Sequence, residues 1–500
     1  MRLISRMLEP ISPSEWGFQP AAHLLNRAAF GGTPSEIESL AQISPSAAVD
    51  QILSSPEKET SDPLAPPDWA RPDPDRPRKL KEFREATPEA RRELAKARQK
   101  EERARFLELQ SWWLRRMTRG TLAFAHREKL TLFWHGHFAT AFQKVRDAHL
   151  MWRQNDLFRR LGGGDWTTLL REVTRDPAML IWLDQAQSKA EHPNENFARE
   201  LLELFTLGEG HYSESDVMAA ARSMTGLTLD RLTQEPVFRP RLRDRTPTTL
   251  FGKTALHQVD DVLRLVVAHP HSSRFITGRL WRFFAGTEPS PELVNALAAE
   301  FERNDRRFAP FLRSLFLSKA FHAPDVVRHQ IKSPVQLLVM ACRQLERDLP
   351  PAPATSNVLR MLGQELFNPP NVKGWEGGVA WINTNTLLTR HNLALFLTTG
   401  ENPLPALARN PKAPPRPGGG RGPGSRATTP LQTERLFSET DFQSPDVLIS
   451  AIERRLLTVP FNPRDRSALK SHLSFPDLHD AAQLLEILRL SLCTAEYQLT

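Results

Sequence analysis

The sequence has few of the features that most directly define a redox compartment or a membrane association. Only two cysteines, Cys342 and Cys493, occur among its 500 residues. They lie far apart and form no Cys-x-x-Cys pair and no disulfide framework, and such cysteine usage permits any compartment. No segment approaches the run of about 20 apolar residues that a transmembrane helix requires.

The first residues also lack the pattern of an export signal. Residues 1–16 contain two arginines but no long apolar run, whereas a signal peptide needs about 7–15 consecutive apolar residues. We therefore expect a cytoplasmic location, unless a partner protein carries the chain out of the cytoplasm.

Motifs of several enzyme classes are missing as well. There is no Gly-rich phosphate loop and no βαβ alternation, which argues against a doubly wound nucleotide-binding fold. There is no Gly-x-Ser-x-Gly elbow and no His-Glu-x-x-His zinc motif. Neither cysteine has a neighbouring general base. Each absence lowers the case for one class of enzyme without excluding it.

The net charge is the one feature of the composition that could indicate a partner. The formal charge is +8 and the pI is near 9.7, and such values suit a nucleic-acid or anionic membrane partner. The basic residues are, however, spread along the chain and mixed with acidic ones. No segment resembles a recognition helix or an RNA-binding motif, so nucleic-acid binding rests on the pI alone and we disfavour it.

What the sequence does contain is a long series of helical segments. Thr33 and Glu36 have the spacing of a capping box, and Asp176-Pro177 has the order of a helix cap followed by a first-turn proline. Residues 228–256 lack helical periodicity and could form a short hairpin at most. We predict a mainly α protein, a single large multi-helix domain with at most a small β-hairpin.

Changes in composition predict a central helical body with flanking segments. Residues 1–19 form an N-terminal tail, and residues 20–401 form the main helical domain. Within that domain, residues 56–87 comprise an exposed Pro-rich loop and the start of a charged helix. Residues 402–430, rich in Pro and Gly, predict a flexible linker. Residues 431–500 predict C-terminal helices that pack on the main domain.

The helix predicted from about residue 88 to residue 119 has two unlike halves. Residues 91–105 are charged nearly all round, which is typical of a helix that projects into solvent. Residues 106–114 are apolar, so this half should dock on the core.

Several long motifs resemble one bacterial family. They are residues 23–31 (HLLNRAAFG), 133–138 (FWHGHF), 176–180 (DPAML), 194–208 (NENFARELLELFTLG), 212–217 (YSESDV), 332–335 (KSPV), 367–375 (FNPPNVKGW) and 381–384 (WINT). This set is similar to the family catalogued as domain of unknown function 1800, and the resemblance runs from about residue 20 to the C-terminus.

The resemblance implies no established activity. Members of the family are often encoded beside a sulfatase-like family, domain of unknown function 1501, whose members commonly carry export signals. A sulfatase-like partner, and export with that partner, are therefore expectations that the resemblance implies.

Two positions depart from the family's pattern. Gly136 stands between two histidines where family members usually have Asn, and Phe205 stands where many members have His. If the family's site uses that His, this chain has lost a ligand.

The pair His135 and His137 is the first candidate for chemistry. Residues i and i+2 point to the same side of an extended chain, so both imidazoles could then bind one metal ion. On a helix they diverge by about 200°, and the pair works only if Gly136 interrupts the helix. The alternative is one core histidine and one surface or supporting histidine.

The second candidate is the helix predicted over residues 194–207. Asn196, Glu200 and Glu203 share one face by their i+4 and i+3 spacing, and two carboxylates on a face could bind a hard metal ion, as in helical di-iron proteins. The alternative is ordinary pairing of Arg199 with Glu195 and Glu203 along the helix.

These two groups predict a single site, since polar residues crowd a helix that also has a strong apolar face. His211 and Tyr212 follow directly after this helix. The metal ligands would be residues His135, His137, Glu200, Glu203 and His211. Glu200 and Glu203 would act as acid or base, and Asn196, Arg199 and Tyr212 would bind substrate.

The third candidate is the segment that contains Asn371, Trp375, Trp381 and Asn383, which we call the Trp/Asn loop. Its prolines and glycines predict a rigid loop, and Trp and Asn side chains suit sugar or peptide surfaces. The alternative is a structural loop whose Asn side chains cap helix ends.

Two functions remain open from the sequence. The first is a metal-dependent enzyme that uses the His/Glu site, with a divalent metal as cofactor. The second is a non-catalytic binding or assembly protein that acts with the sulfatase-like partner through the Trp/Asn loop. The geometry of the candidate atoms discriminates between them, because metal ligands must converge on one point.

Overall fold

The fold is mainly helical, as the sequence predicts. The computed structural model describes residues 7–54, 64–230, 232–401, 428–473 and 477–500. Within this part of the chain there are 23 α-helices and two small antiparallel sheets. Among these helices, none has both the length and the apolar character needed to cross a membrane.

The first half of the chain forms twelve helices. They are α1 (Phe18–Ala28), α2 (Pro34–Ala41), α3 (Pro45–Leu53), α4 (Arg76–Glu85), α5 (Pro88–Thr118), α6 (Leu122–His137), α7 (Phe142–Val145), α8 (Ala148–Leu161), α9 (Trp166–Thr174), α10 (Pro177–Trp182), α11 (Glu195–Glu200) and α12 (Glu214–Ser223).

The second half forms the remaining helices. They are α13 (Val259–Val267), α14 (Pro270–Ala285), α15 (Pro291–Arg303), α16 (Phe308–Leu317), α17 (Pro334–Gln344), α18 (Ala352–Met361), α19 (Thr384–Thr399), α20 (Pro445–Leu456), α21 (Pro463–Ser471), α22 (Ala481–Cys493) and α23 (Ala495–Gln498).

Local sequence explains where many helices begin. Thr33 accepts from the backbone N–H of Glu36 and Glu36 reciprocates, so the capping box predicted for α2 is present. Ser213 and Asp216 form the same motif at the start of α12. These caps satisfy backbone N–H groups that have no partner inside the helix.

Two short hairpins interrupt the helices between α12 and α13. Strands β1 (Leu227–Leu229) and β2 (Pro236–Phe238) pair antiparallel, as do β3 (Thr248–Leu250) and β4 (Lys253–Ala255). The sequence indicated one hairpin at most in this region. Each sheet has only three residues per strand, too few for a clear alternating pattern.

The charged helix α5 is as predicted, but it has an additional partner. Its exposed first half packs beside α4, which lies where the sequence indicated the Pro-rich loop and the start of the charged helix. Residues 78–85 are mostly strong helix formers, and Pro77 is tolerated because it occupies the first turn. Residues 402–427, most of the predicted linker, lie outside the described residues.

Two clusters of buried apolar side chains form the core. The first includes Leu24 of α1, Trp134 of α6 and Phe284 of α14. The second includes Trp113 of α5 and side chains of α17, α19, α20 and α22, for example Leu488. Helix α6 contributes to both clusters and therefore lies between them.

Candidate functional site

The polar helix of the second candidate changes its hydrogen-bonding pattern in the middle. Helix α11 continues without a break into a π-helix, Leu201–Leu207. A widened turn is visible in the backbone i to i−5 bond from Gly208 N–H to the Glu203 carbonyl at 3.1 Å, and the Thr206 hydroxyl donates to the Leu201 carbonyl at 2.6 Å. Such helices are rare and are found frequently at functional sites.

His137 forms a hydrogen bond to the backbone of this π-helix. Its Nε2–H donates to the Phe205 carbonyl at 3.0 Å, while Nδ1 is buried without a hydrogen-bond partner among the described residues. Its ring packs against Phe133, Phe138 and Phe275. Burial lowers the pKa of His137 to about 3, and Arg279 contributes to the shift, so the imidazole is neutral.

His135 holds a different part of the chain. Its Nε2 accepts from the backbone N–H of Phe367 at 2.9 Å, so the ring proton is on Nδ1. Its ring packs against Trp113, Phe367 and Trp375. Phe367 has a φ of 61°, a left-handed conformation that costs energy for a non-glycine residue. Burial lowers the pKa of His135 to about 3.

The structure does not bring the two histidines together. Gly136 lies inside α6 and does not interrupt it, so His135 faces the second core cluster and His137 the first. Among the described residues, no group of three or more His, Cys, Asp or Glu side chains is placed to hold a metal ion. The five ligands named from the sequence are therefore not assembled at one point.

The carboxylates of the polar helix do meet other named residues. We call the group of Arg199, Glu200, Glu203, Tyr212 and Lys373 the carboxylate surface. The Tyr212 hydroxyl donates to Glu203 Oε2 at 2.6 Å, and burial together with this bond raises the pKa of Tyr212. Glu200 is half-buried; burial and the neighbouring Glu203 raise its pKa, against the effects of Lys373 and Arg199.

The ion pairs of this surface differ from the pairs that helical spacing suggested. Arg199 makes two parallel bonds of 2.7 Å to Glu214 on α12, not to Glu195 or Glu203. Lys373 lies 3.8 Å from Glu209. Asn196 is exposed. Lys373 was not singled out from the sequence, although it lies inside the motif of residues 367–375.

His211 belongs to a separate group of histidines. Its ring stacks on His271 with a centroid distance of 3.4 Å, and His271 lies 5.8 Å from His269. His269 and His271 flank the first residue of α14 and were not singled out from the sequence. Two rings stacked face to face do not direct their nitrogens at a common point.

The Trp/Asn loop rests directly on α6. Gly374 has a φ of 80°, and a Cβ atom there would lie 2.4 Å from the Gly136 carbonyl oxygen, so only glycine permits this approach. A side chain at Gly136 would meet the ring of Trp375. Asn371 Oδ1 accepts from the Lys373 N–H at 2.8 Å and closes the turn.

The second half of this segment starts α19. Asn383 caps the helix by accepting from the Thr386 N–H at 3.0 Å. Trp381 is buried, and its carbonyl accepts from the Thr386 hydroxyl at 3.0 Å. These contacts match the structural alternative for both residues, since they position the backbone.

An exposed apolar surface in this segment was missed from the sequence. We call the side chains of Val379, Ile382, Leu387 and Leu388 the apolar patch; they are 81%, 38%, 40% and 49% exposed. They are four of the eleven large apolar side chains that are exposed in the described residues. The sequence feature that could have indicated this patch is the absence of any charged residue from residues 377–388.

The chemistry of the carboxylate surface differs from that of the apolar patch. The carboxylate surface offers acceptors for a cationic or hydroxyl-bearing group, and Glu200 and Glu203 are the residues there that could bind a metal ion. The apolar patch has no charged group. Contact with another apolar surface would be favourable because it removes both surfaces from water.

Residues 23–499 match the model of one protein family, described as protein of unknown function (DUF1800). No curated protein and no solved structure matches the chain. The matched range includes the π-helix, the Trp/Asn loop and the apolar patch.

Proposed function

The chain belongs to the DUF1800 family of proteins of unknown function, and we propose that it acts as a non-catalytic binding or assembly protein. Its contact surface is the apolar patch at the end of the Trp/Asn loop. The observation that carries this proposal is the exposure of four large apolar side chains within ten consecutive residues that include no charge. Groups of exposed apolar residues of this kind mark interaction sites.

The support beneath the patch suits a binding surface. Asn383 caps α19, Trp381 is buried, and the preceding loop is held against α6 through Gly374 and Gly136. A surface that is ordered before binding loses less conformational entropy in the complex. The buried His135 contributes to this order because it accepts from the Phe367 backbone.

We propose a sulfatase-like protein of the family catalogued as domain of unknown function 1501 as the partner. The apolar patch would form the core of the interface, and polar residues around it would form the rim. If the partner carries an export signal, the chain could leave the cytoplasm with it.

Co-purification with a sulfatase-like protein from the same genome tests this proposal. The parent chain should form a complex, and the variant Val379→Ser/Ile382→Ser/Leu388→Ser should bind at least about tenfold more weakly, a loss of about 1.4 kcal/mol. A matched control removes exposed apolar side chains elsewhere, as in Met218→Ser/Leu232→Ser/Leu256→Ser.

The control should bind as the parent does. A parent chain that forms no complex would contradict the partner, and an equal loss in both variants would contradict the patch as the contact surface.

Acid–base chemistry at the carboxylate surface is a second candidate function. Glu200 and Glu203 have unlike environments, since Glu200 is half-buried with a raised pKa and Glu203 accepts from Tyr212. Pairs of this kind divide the roles of acid and base in enzymes. A divalent metal would use the same two carboxylates.

Mass spectrometry of the purified protein tests the metal. Near-stoichiometric iron, manganese or zinc in the parent, lost in a folded Glu200→Gln/Glu203→Gln variant, would support an enzyme. A parent that is empty and binds none of these metals when they are added would contradict a metal-dependent one.

A further inference from the structure

The positive charge of the protein is concentrated in one projecting element. Residues 76–105, which comprise α4 and the exposed half of α5, contain twelve Lys and Arg against six Asp and Glu. Their net charge of +6 accounts for most of the +8 of the whole chain. We call these residues the basic hairpin. The even spread of charge inferred from the sequence therefore does not extend to this segment.

A large open cleft separates the basic hairpin from the body of the protein. Its volume is about 2580 Å³, and its walls come from α4, α5, α7 and α18. Phe106 and Phe142 stack at a centroid distance of 4.2 Å, and with Val145 and Ala354 they provide an apolar lining. The cleft lies next to the motif of residues 367–375, which contributes Asn368 to the lining.

The cations that line the cleft differ in how firmly carboxylates hold them. Arg71 and Arg103 are exposed and form no ion pair within the described part of the chain, whereas Arg98 forms only a long ion pair, 3.9 Å from Asp147. The exposed guanidinium of Arg146 donates to the backbone carbonyl of Gln143. The cleft therefore offers free positive charge to a ligand.

The buried acids that face the cleft are already bound within the fold. Glu102 accepts from the Ala148 N–H at 2.7 Å, and Asp147 accepts from Gln234 Nε2 at 2.7 Å. The first bond attaches α5 to the start of α8, and the second attaches the start of α8 to the loop between β1 and β2. They leave Glu102 and Asp147 less able to repel an anionic ligand.

The hairpin itself presents apolar side chains between its charges. Leu80 and Phe83 of α4 and Leu94 of α5 line the cleft, and Phe83 is 42% exposed. A ligand that fills this cleft must therefore match positive charge and apolar surface together. An amphipathic helix that lies in a groove meets both requirements.

We propose that the cleft between the basic hairpin and the body binds an acidic, amphipathic segment of a partner polypeptide. Nucleic acid fits less well, because its evenly spaced phosphates cannot avoid the acidic side chains that also line the cleft, such as Glu82 and Glu101, whereas a polypeptide can keep its carboxylates away from them. A polypeptide can place apolar side chains on Phe106 and Phe142 and carboxylates on the arginines. This site is distinct from the apolar patch and does not depend on it.

Fluorescence anisotropy with a labelled amphipathic peptide of repeating Glu and Leu tests the proposal. The parent chain should bind the peptide, and binding should weaken as salt screens the charges. The variant Arg71→Gln/Arg98→Gln/Arg103→Gln should bind at least about tenfold more weakly. The control Arg160→Gln/Arg264→Gln/Arg303→Gln removes the same charge from other exposed sites and should bind as the parent does.

A second variant and a second probe separate the remaining outcomes. Phe83→Ser should weaken binding of the Glu/Leu peptide more than binding of poly-L-glutamate. The patch variant Val379→Ser/Ile382→Ser/Leu388→Ser should leave peptide binding unchanged, so failure here is distinguishable from failure of the proposed partner. The proposal would be overturned if the parent did not bind the peptide, or if both arginine variants lost binding equally. Tighter binding of a single-stranded oligo-dT than of the peptide would also overturn it.

Discussion

At the scale of single residues, Asp176 shows how burial can oppose stability. Its carboxyl group caps α10 by accepting from the Met179 N–H at 2.9 Å and also accepts from Gln154 Nε2 at 2.7 Å. The side chain is 3% exposed. Burial raises the pKa of Asp176 from 3.8 to about 7, because these bonds compensate only part of the lost hydration.

We expect Asp176→Asn to stabilise the protein in a pH-dependent way. The folded chain holds the Asp176 proton more tightly than the unfolded chain, so stability falls as pH rises from about 4 to 7 and the loss is complete above that range. The free energy of unfolding of the variant should exceed that of the parent by on the order of 2–4 kcal/mol at pH 8 and by almost nothing at pH 4. Urea unfolding between pH 4 and pH 8 measures this difference.

The matched control is Asp165→Asn, which changes a helix cap of the same type that is only partly buried. It should show no gain at pH 8. A stability difference for Asp176→Asn that stays constant from pH 4 to pH 8 would show that Asp176 ionises normally in the folded protein.

Single residues also show where the sequence stops being informative about the site. The alternative for Asn371 and Asn383 was that their side chains cap helix ends. Asn383 does cap α19, whereas Asn371 closes a turn, and in both cases the bonded partner lies within three residues. Arg199 pairs with Glu214, and Lys373 approaches Glu209 from another part of the chain. Such distant pairs depend on the fold and not on helical spacing.

At the scale of elements, one buried carboxylate joins three helices. Glu128 of α6 accepts from Arg116 of α5 at 2.9 Å and from Arg159 of α8 at 2.7 Å, and Trp113 donates to it at 2.7 Å. Burial alone would raise the pKa of Glu128. The two guanidinium groups overcome this effect and hold the pKa at about 2.

We expect Glu128→Gln to destabilise the protein by about 3–5 kcal/mol, because it removes the buried carboxylate that Arg116 and Arg159 share. The stabilising effect of Glu128 is present above about pH 4.5 and is lost as pH falls toward 2, since its pKa is depressed in the folded state. The difference between parent and variant in thermal unfolding should therefore shrink in acid.

A control for this prediction is Glu235→Gln, which removes the more exposed partner of Arg153 outside this network and should cost less than about 1 kcal/mol. If Glu128→Gln proved as mild as this control, the network would not stabilise the packing of the three helices.

The sequence predicted the existence of elements better than their internal geometry. The caps at Thr33 and Asp176 indicated helix starts correctly, because a cap depends on neighbouring residues only. The π-helix could not be predicted, since its apolar side chains still fit a helical pattern. Gly136 does not interrupt α6, because a helical glycine costs only about 1 kcal/mol and the packing of Trp134 and the two histidines outweighs it.

At the scale of the whole molecule, the C-terminal helices are interwoven with the N-terminal half. Leu448 and Leu488 are buried in the same apolar cluster as Trp113 of α5. Asn26 Nδ2 donates to Thr458 Oγ1 at 2.7 Å, and Arg27 donates to the Thr500 carbonyl at 2.6 Å. These contacts join segments that lie more than 400 residues apart in the sequence.

The same contacts bear on the predicted division of the chain into a main domain and a C-terminal block. Arg390 of α19 donates to Gln498 Oε1 and to the Lys332 carbonyl, both at 2.8 Å. The Lys332 ammonium lies 3.4 Å from the centre of the Tyr497 ring, a cation–π contact. A block that shares its core with the rest of the protein should not fold or unfold by itself, although the domain boundaries themselves stay a prediction.

We therefore expect the two parts to stay together after the chain is cut between them. A specific protease site inserted after Gly418 would allow cleavage of the folded protein. The fragments should elute together in size-exclusion chromatography and unfold in a single thermal transition, because separation would expose the shared apolar cluster to water. The uncleaved protein with the same insertion is the control, and its unfolding temperature should be somewhat higher because its chain is continuous. Two separate peaks in native buffer, or two transitions, would instead identify the C-terminal helices as an independent domain and would remove the physical basis for treating residues 20–500 as one body.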